Sequence, residues 1–89
     1  MKPHVRLYLD EMGYDESDFV PCEIGQDNYA KCLGKATDVH HINARGMGGT
    51  ITRATIENLM GLCRVCHHDF GDITDFKPML NRIHKMRTP

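Results

Sequence analysis

Four cysteines and six histidines stand out in a chain of 89 residues, because thiolates and imidazoles are the residues that hold transition metals and move protons near neutral pH. Cys63-Arg-Val-Cys66 leaves two residues between its thiols, the spacing with which one turn presents both sulfurs to one ion. Cys22 and Cys32 are separated by nine residues. Loop-closure cost grows only logarithmically, so a long knuckle loop can still complete a four-thiolate zinc site. Two disulfides, or free buried cysteines, are the competing readings, and a reducing compartment would disfavour the disulfides. A tetrahedron filled by thiolates leaves no position for water, so such a zinc would be structural.

The histidines point to a second site. Four of them form adjacent pairs, His40-His41 and His67-His68. Neighbours on a strand face opposite sides, so His40 and His41 should have different jobs. On a helix, His67 is turned about 100° from Cys66, which lets Cys63 and Cys66 face the zinc while His67 faces elsewhere. His68 is rotated further round and should lie outside that site. His4 and His84 read as surface or packing residues.

Local patterns set out the elements that must carry these groups. Val5, Leu9 and Met12 after Pro3, with Gly13 beyond, predict a helix over 3–12. Residues 13–21 are polar except Phe19 and Val20, which should cover the core. A strand is expected within Ala36–Ile42 and a loop over the Gly-rich Arg45–Thr50. A second strand follows at Leu59–Leu62, then a short helix from Arg64 to Phe70 ended by Gly71. Met79, Leu80, Ile83 and Met86 mark a last helix over 78–87, opened by Pro78. The class is α+β on a single domain spanning 1–89. Many of the apolar residues are Met, Ala, Cys and Tyr, and there is no Trp. Burial alone would therefore leave the fold marginal, and zinc would be its staple.

Net charge is −1, yet it is unevenly spread. Residues 1–30 carry seven acids against Lys2 and Arg6, a balance of −5, and the remainder carries +4. The second part could meet a polyanion while the acidic part faces elsewhere; a solvated surface of mixed charge is the plainer reading. The longest apolar run is Leu7-Tyr8-Leu9, too short for a membrane span, and no leader pattern opens the chain. A soluble, cytoplasmic protein is the expectation.

Asp38-Val-His-His-Ile42, the Gly-rich loop, Glu57-Asn-Leu-Met-Gly-Leu-Cys63 and Cys66-His67, in that order, resemble an HNH nuclease of the zinc-knuckle type over about residues 20–71. The resemblance implies a small zinc-stabilised ββα-metal core with flanking N- and C-terminal helices. It implies His41 as the general base that activates water for attack on a phosphodiester, and Asn58 as the residue that ties the loop backbone so that the base keeps its register. His40 and His67 would be ligands of a catalytic divalent ion, Mg2+, Mn2+, Ni2+ or Zn2+. Cys22, Cys32, Cys63 and Cys66 would hold the structural zinc. A neutral imidazole suits the base, since its ordinary pKa is about 6.5.

The chain departs from the family pattern twice. Gly25 stands where a second knuckle cysteine is usual, and Cys32 replaces it seven residues on. Some relatives have a further ligand one turn after the last histidine, where this chain has Gly71. Arg45, in the Gly-rich loop, would hold backbone phosphate, or else be an ordinary solvated residue. The implied partner is DNA. With no DNA-reading domain in the chain, sequence preference should be low, or a larger phage or mobile-element protein should supply targeting. A non-catalytic zinc module that binds nucleic acid or protein, and a ribonuclease using the same site, are the rival functions.

Overall fold

β1 (Asp38–His41) and β2 (Leu59–Leu62) form a two-stranded antiparallel sheet, with Asp38 opposite Leu62, Val39 opposite Gly61, His40 opposite Met60 and His41 opposite Leu59. The structure, a computed structural model, describes residues 2–42 and 55–88. Arg45 and the Gly-rich segment lie outside the described residues. Helix α1 (Pro3–Met12) precedes the sheet; α2 (Arg64–Cys66) leaves β2 and continues as a π-helical turn over His67–Gly71, and α3 (Lys77–Arg87) closes the order. These ends match the sequence expectations to within two residues, apart from the wider turn after Cys66. Among the described residues, no helix is long and apolar enough to cross a membrane.

All four residues of β2 are buried, because the sheet is covered on both faces. Strand alternation divides them. Met60 and Leu62 join Cys22, Ile24, Cys32, Ile42, Cys63, Cys66 and Leu80 in one cluster, whereas Leu59 packs with Tyr8 and Leu9 of α1 in the other. Gly61 faces α1. A Cβ there would stand 2.6 Å from the Tyr8 hydroxyl oxygen, so the close approach of α1 to the sheet depends on the missing side chain. Val20 packs against this second cluster as expected. Phe19 does not cover the core; its residue is 65% exposed. Two residues after it, an isolated antiparallel bridge joins Pro21 to Lys35.

A buried polar network ties α1, the knuckle, β2 and α3 together. Tyr8 donates to Glu23 Oε2 at 2.5 Å and Gly61 N–H donates to the same oxygen at 3.0 Å. His84 Nδ1 donates to Glu23 Oε1 at 2.7 Å, and His84 Nε2 donates to the Ile56 carbonyl. His84 is thus the packing residue expected, but a buried and fully bonded one. Burial alone would lower its pKa; the Glu23 hydrogen bond and charge, with the Ile56 carbonyl, outweigh that and hold it above the ordinary imidazole value. A raised folded pKa means the stabilisation is complete below the unfolded value of about 6.5 and is lost as pH rises through the folded value. His84→Ala should therefore cost about 3 kcal/mol at pH 6, as expected for breaking a buried pair, and less at pH 9. Urea unfolding of both proteins at the two pH values checks this, and a pH-independent difference would mean a neutral His84.

Candidate functional site

The four cysteines come together although 31 positions separate Cys32 from Cys63 in the chain. Cys22, Cys32, Cys63 and Cys66 are buried free thiols whose sulfurs all lie within 4.8 Å of one another. Cys63 Sγ is 3.8 Å from Cys32 Sγ. That is the spacing expected for a tetrahedral zinc, since bonds of about 2.3 Å put sulfurs about 3.8 Å apart, and it is far beyond a disulfide bond of about 2.05 Å. Backbone amides also point at the sulfurs: Cys66 N and Leu33 N donate to Cys63 Sγ at 3.3 and 3.4 Å, and Gly34 N donates to Cys32 Sγ at 3.3 Å. Burial would raise the Cys63 pKa, but those amides and the neighbouring thiols outweigh it and bring it down to about 7. For Cys66 and Cys32 burial prevails and holds the protons on. Cations compensate such charge. A donor set of four buried sulfurs, with amides supporting thiolate character, fits a divalent thiophilic ion.

α2 starts from this cluster, as the sequence predicts: Cys63 caps it, and its sulfur receives the Cys66 amide. One residue later His67 turns toward β1. His40 Nδ1 and His67 Nε2 are 3.1 Å apart, and a carboxylate oxygen of Asp72 falls within 4.8 Å of a donor atom on each ring. Asp38 orients His67, since its Oδ2 lies 2.8 Å from His67 Nδ1. A proton on Nδ1 leaves the Nε2 lone pair aimed at His40, the carboxylate–histidine arrangement by which ligating imidazoles are fixed. Arg64 grips the same carboxylate with Nε at 3.0 Å and Nη2 at 3.1 Å. Burial would raise the Asp38 pKa, but the bonds from His67 and Arg64 prevail and hold it below the usual carboxylate range. For His40, burial and the neighbouring His67 both act downward, keeping the ring neutral. His40 Nε2 is buried with no hydrogen-bond partner among the described residues. Two imidazoles and a carboxylate can together hold a divalent cation.

Asp72 and Asp38 were not legible as site residues. Spacing on an ordinary helix puts Gly71 one turn after His67, but the widened π turn pairs positions five apart. Asp72, five residues after His67 and just past that turn, brings its carboxylate near the two rings. The glycine has its own use there: a Cβ on Gly71 would come within 2.6 Å of His67 Cδ2 and 3.4 Å of His40 Cε1. Gly71→Ala should push the His67 ring away from His40 and weaken divalent-ion binding about tenfold or more, while leaving zinc content intact. Calorimetric titration with Mn2+ or Ni2+ measures it. The turn is also tethered to the knuckle, because Tyr29 O–H donates to Asp69 Oδ2 and the Tyr29 ring meets Phe70 edge-on at 4.7 Å.

His41, next on β1, lies on the opposite face from His40, with its ring 4.9 Å from that of His4 on α1. His4 is therefore beside the candidate base. Asn58 is buried at the end of the 3-10 turn Ile56–Asn58, and its carbonyl accepts the Ile42 N–H at 2.9 Å, which extends the pairing of the two strands just past His41. His68 stays outside, its side chain 87% exposed and bonded to Asp69.

The sequence model of the HNH endonuclease family matches residues 22–72 of the chain, which include both cysteine halves, both histidine pairs and Asp72. No curated protein and no solved structure gives a significant match.

Proposed function

Since the chain belongs to the HNH endonuclease family, whose members are nucleases that use divalent metal, we propose that it is a metal-dependent DNA endonuclease. The observation that carries the reading is the convergence of His40 Nδ1 and His67 Nε2 at 3.1 Å beside the Asp72 carboxylate, with His41 on the adjoining strand position. His40, His67 and Asp72 hold the catalytic ion, and Cys22, Cys32, Cys63 and Cys66 hold a structural zinc. When bound there, a divalent ion would supply positive charge against the scissile phosphate and the leaving oxygen. His41 accepts the proton of the attacking water as the new O–P bond forms and the P–O ester bond breaks. Asn58 keeps the β1 end in register, which holds His41 at its working position. Asp38 orients His67 and is itself clamped by Arg64. Arg45 meets a neighbouring phosphate. Partners that would add targeting are DNA-reading proteins, of the kind mobile elements encode.

The test is cleavage of supercoiled plasmid and of RNA of similar length, with Mg2+, Mn2+, Ni2+, Co2+ or Zn2+ supplied in turn. Plasmid nicking or linearisation with at least one ion, abolished by chelation, is the expected result. RNA cut in preference to DNA would make the enzyme a ribonuclease. Failure to cut either with any ion would leave a zinc module that binds without catalysis.

A further inference from the structure

A concavity of about 520 Å3 opens from His67 and Asp38 and runs across the edge of β1 to Lys2 and His4, with Arg64 on its rim. It is continuous with the candidate metal centre through His67. The charges around it are one-sided. Lys2 and His4 line it, Arg6 is paired with Glu16 at 3.0 Å outside it, and the acids of α1, Asp10 and Glu11, sit at the far end of the helix, about 10 Å away at 1.5 Å per residue. Asp38 is the one carboxylate among the residues that line the groove, and its oxygens are already engaged by Arg64 and His67. The Arg64 side chain remains 76% exposed, so its outer N–H groups are available. The opening segment of a chain part that is acidic as a whole thus brings positive charge to the site.

We infer that this groove binds the sugar–phosphate backbone of the substrate next to the cut, with Lys2, His4 and Arg64 as its phosphate-contacting groups. The inference rests on the nuclease reading and extends the substrate surface beyond the family-matched residues, since Lys2 and His4 precede residue 22. Its physical basis is continuity. A strand with its scissile phosphate at His67 places the next phosphates over adjoining surface, and the concavity that opens from His67 carries Lys2, His4 and Arg64. Backbone contacts of this kind position a strand without reading its bases.

The test uses the full chain with Lys2 and His4 both changed to Gln. α1 is seated by Tyr8 and Leu9, so the change leaves its anchors in place; circular dichroism and zinc content verify that. Binding of a fluorescent 20-base-pair duplex, measured without divalent cation from 50 to 200 mM salt, should weaken about fivefold. The slope of log affinity against log salt should flatten by about 0.9 for each phosphate that the variant no longer neutralises. The protein concentration for half-maximal cleavage should rise by the same factor. Arg82→Gln with Lys85→Gln removes two charges from α3 and should change binding by less than twofold. Equal weakening by both pairs would overturn the inference, because net charge and not the groove would be responsible. Unchanged binding in the Lys2/His4 variant would overturn it too, and so would competition by polyglutamate as strong as that by DNA. If wild type binds DNA through these residues but never cuts it, the groove stands and the nuclease reading falls. If wild type cuts DNA and the variant binds it equally well, the reverse holds.

Discussion

Cys63→Ser should release the structural metal and unfold the protein. Wild-type protein should carry about one tightly held zinc per chain, which mild chelation leaves in place. The expectation is strong because Cys63 is the hub of the cluster: it caps α2, receives two backbone amides and stands 3.8 Å from Cys32. Serine keeps the shape of the side chain but offers a poorer zinc ligand. Zinc bound by small peptide sites contributes about 10–16 kcal/mol at neutral pH, which rivals the whole net stability of about 5–15 kcal/mol for a typical domain. The apolar cluster around the cysteines cannot make up such a loss, since the four sulfurs are themselves a large part of it. Far-UV circular dichroism with metal analysis decides the matter: the variant should be zinc-free and largely unfolded, and wild type stripped by a strong chelator should lose its signal and regain it when zinc is returned. A cooperatively folded, zinc-free wild type would mean that the four thiols pack as ordinary small apolar residues.

His41→Ala should abolish cleavage, by at least about a hundredfold, and leave affinity for the catalytic ion nearly unchanged. His67→Ala should lose both. The difference follows from strand alternation, which turns His40 toward His67 and His41 toward α1. Asp38→Asn should fall between them, because the amide carbonyl still accepts from His67 Nδ1 but no longer carries the charge that fixes the ring and pairs with Arg64. Single-turnover cleavage and calorimetric titration of the same variants separate proton transfer from ion binding. At saturating metal, the wild-type rate should rise from acid pH to a plateau, since a protonated imidazole accepts nothing. The burial that keeps His40 neutral predicts that this ligand remains competent below the pH at which an ordinary imidazole would be protonated. A pH inflection that moves with metal concentration would assign it to ion occupancy instead of the base. Equal loss of ion binding in His41→Ala and His67→Ala would show that both rings are ligands.

Much of this was legible from local signals. Cys63 and Cys66 announce their site by spacing alone, and the helix over Pro3–Met12 is written in its apolar stripe and its closing glycine. The second strand lies where the pattern Leu-Met-Gly-Leu places it, and alternation separates His40 from His41. The partners of those elements were less legible. Glu23 looked like one more acid of a solvated face, yet it is buried at 4% exposure among Tyr8, Gly61 and His84. No local pattern marks such a residue, because its partners lie 15, 38 and 61 positions away.

The sequence by itself picked out the cysteines and histidines that converge and the elements that carry them, since residue type, spacing and periodicity are properties of neighbours along the chain. Only the tertiary structure decided who completes each site. Asp72, just past the π turn and five residues after His67, joins the two rings, and Gly71 is the gap that lets the His40 and His67 rings meet. The docking of α1 against Gly61 brings His4 to His41 and Lys2 to the groove, so basic residues from a mostly acidic segment end at the site. Both outcomes depend on packing between segments distant in the chain, where one residue of helical register or one missing side chain changes which groups touch.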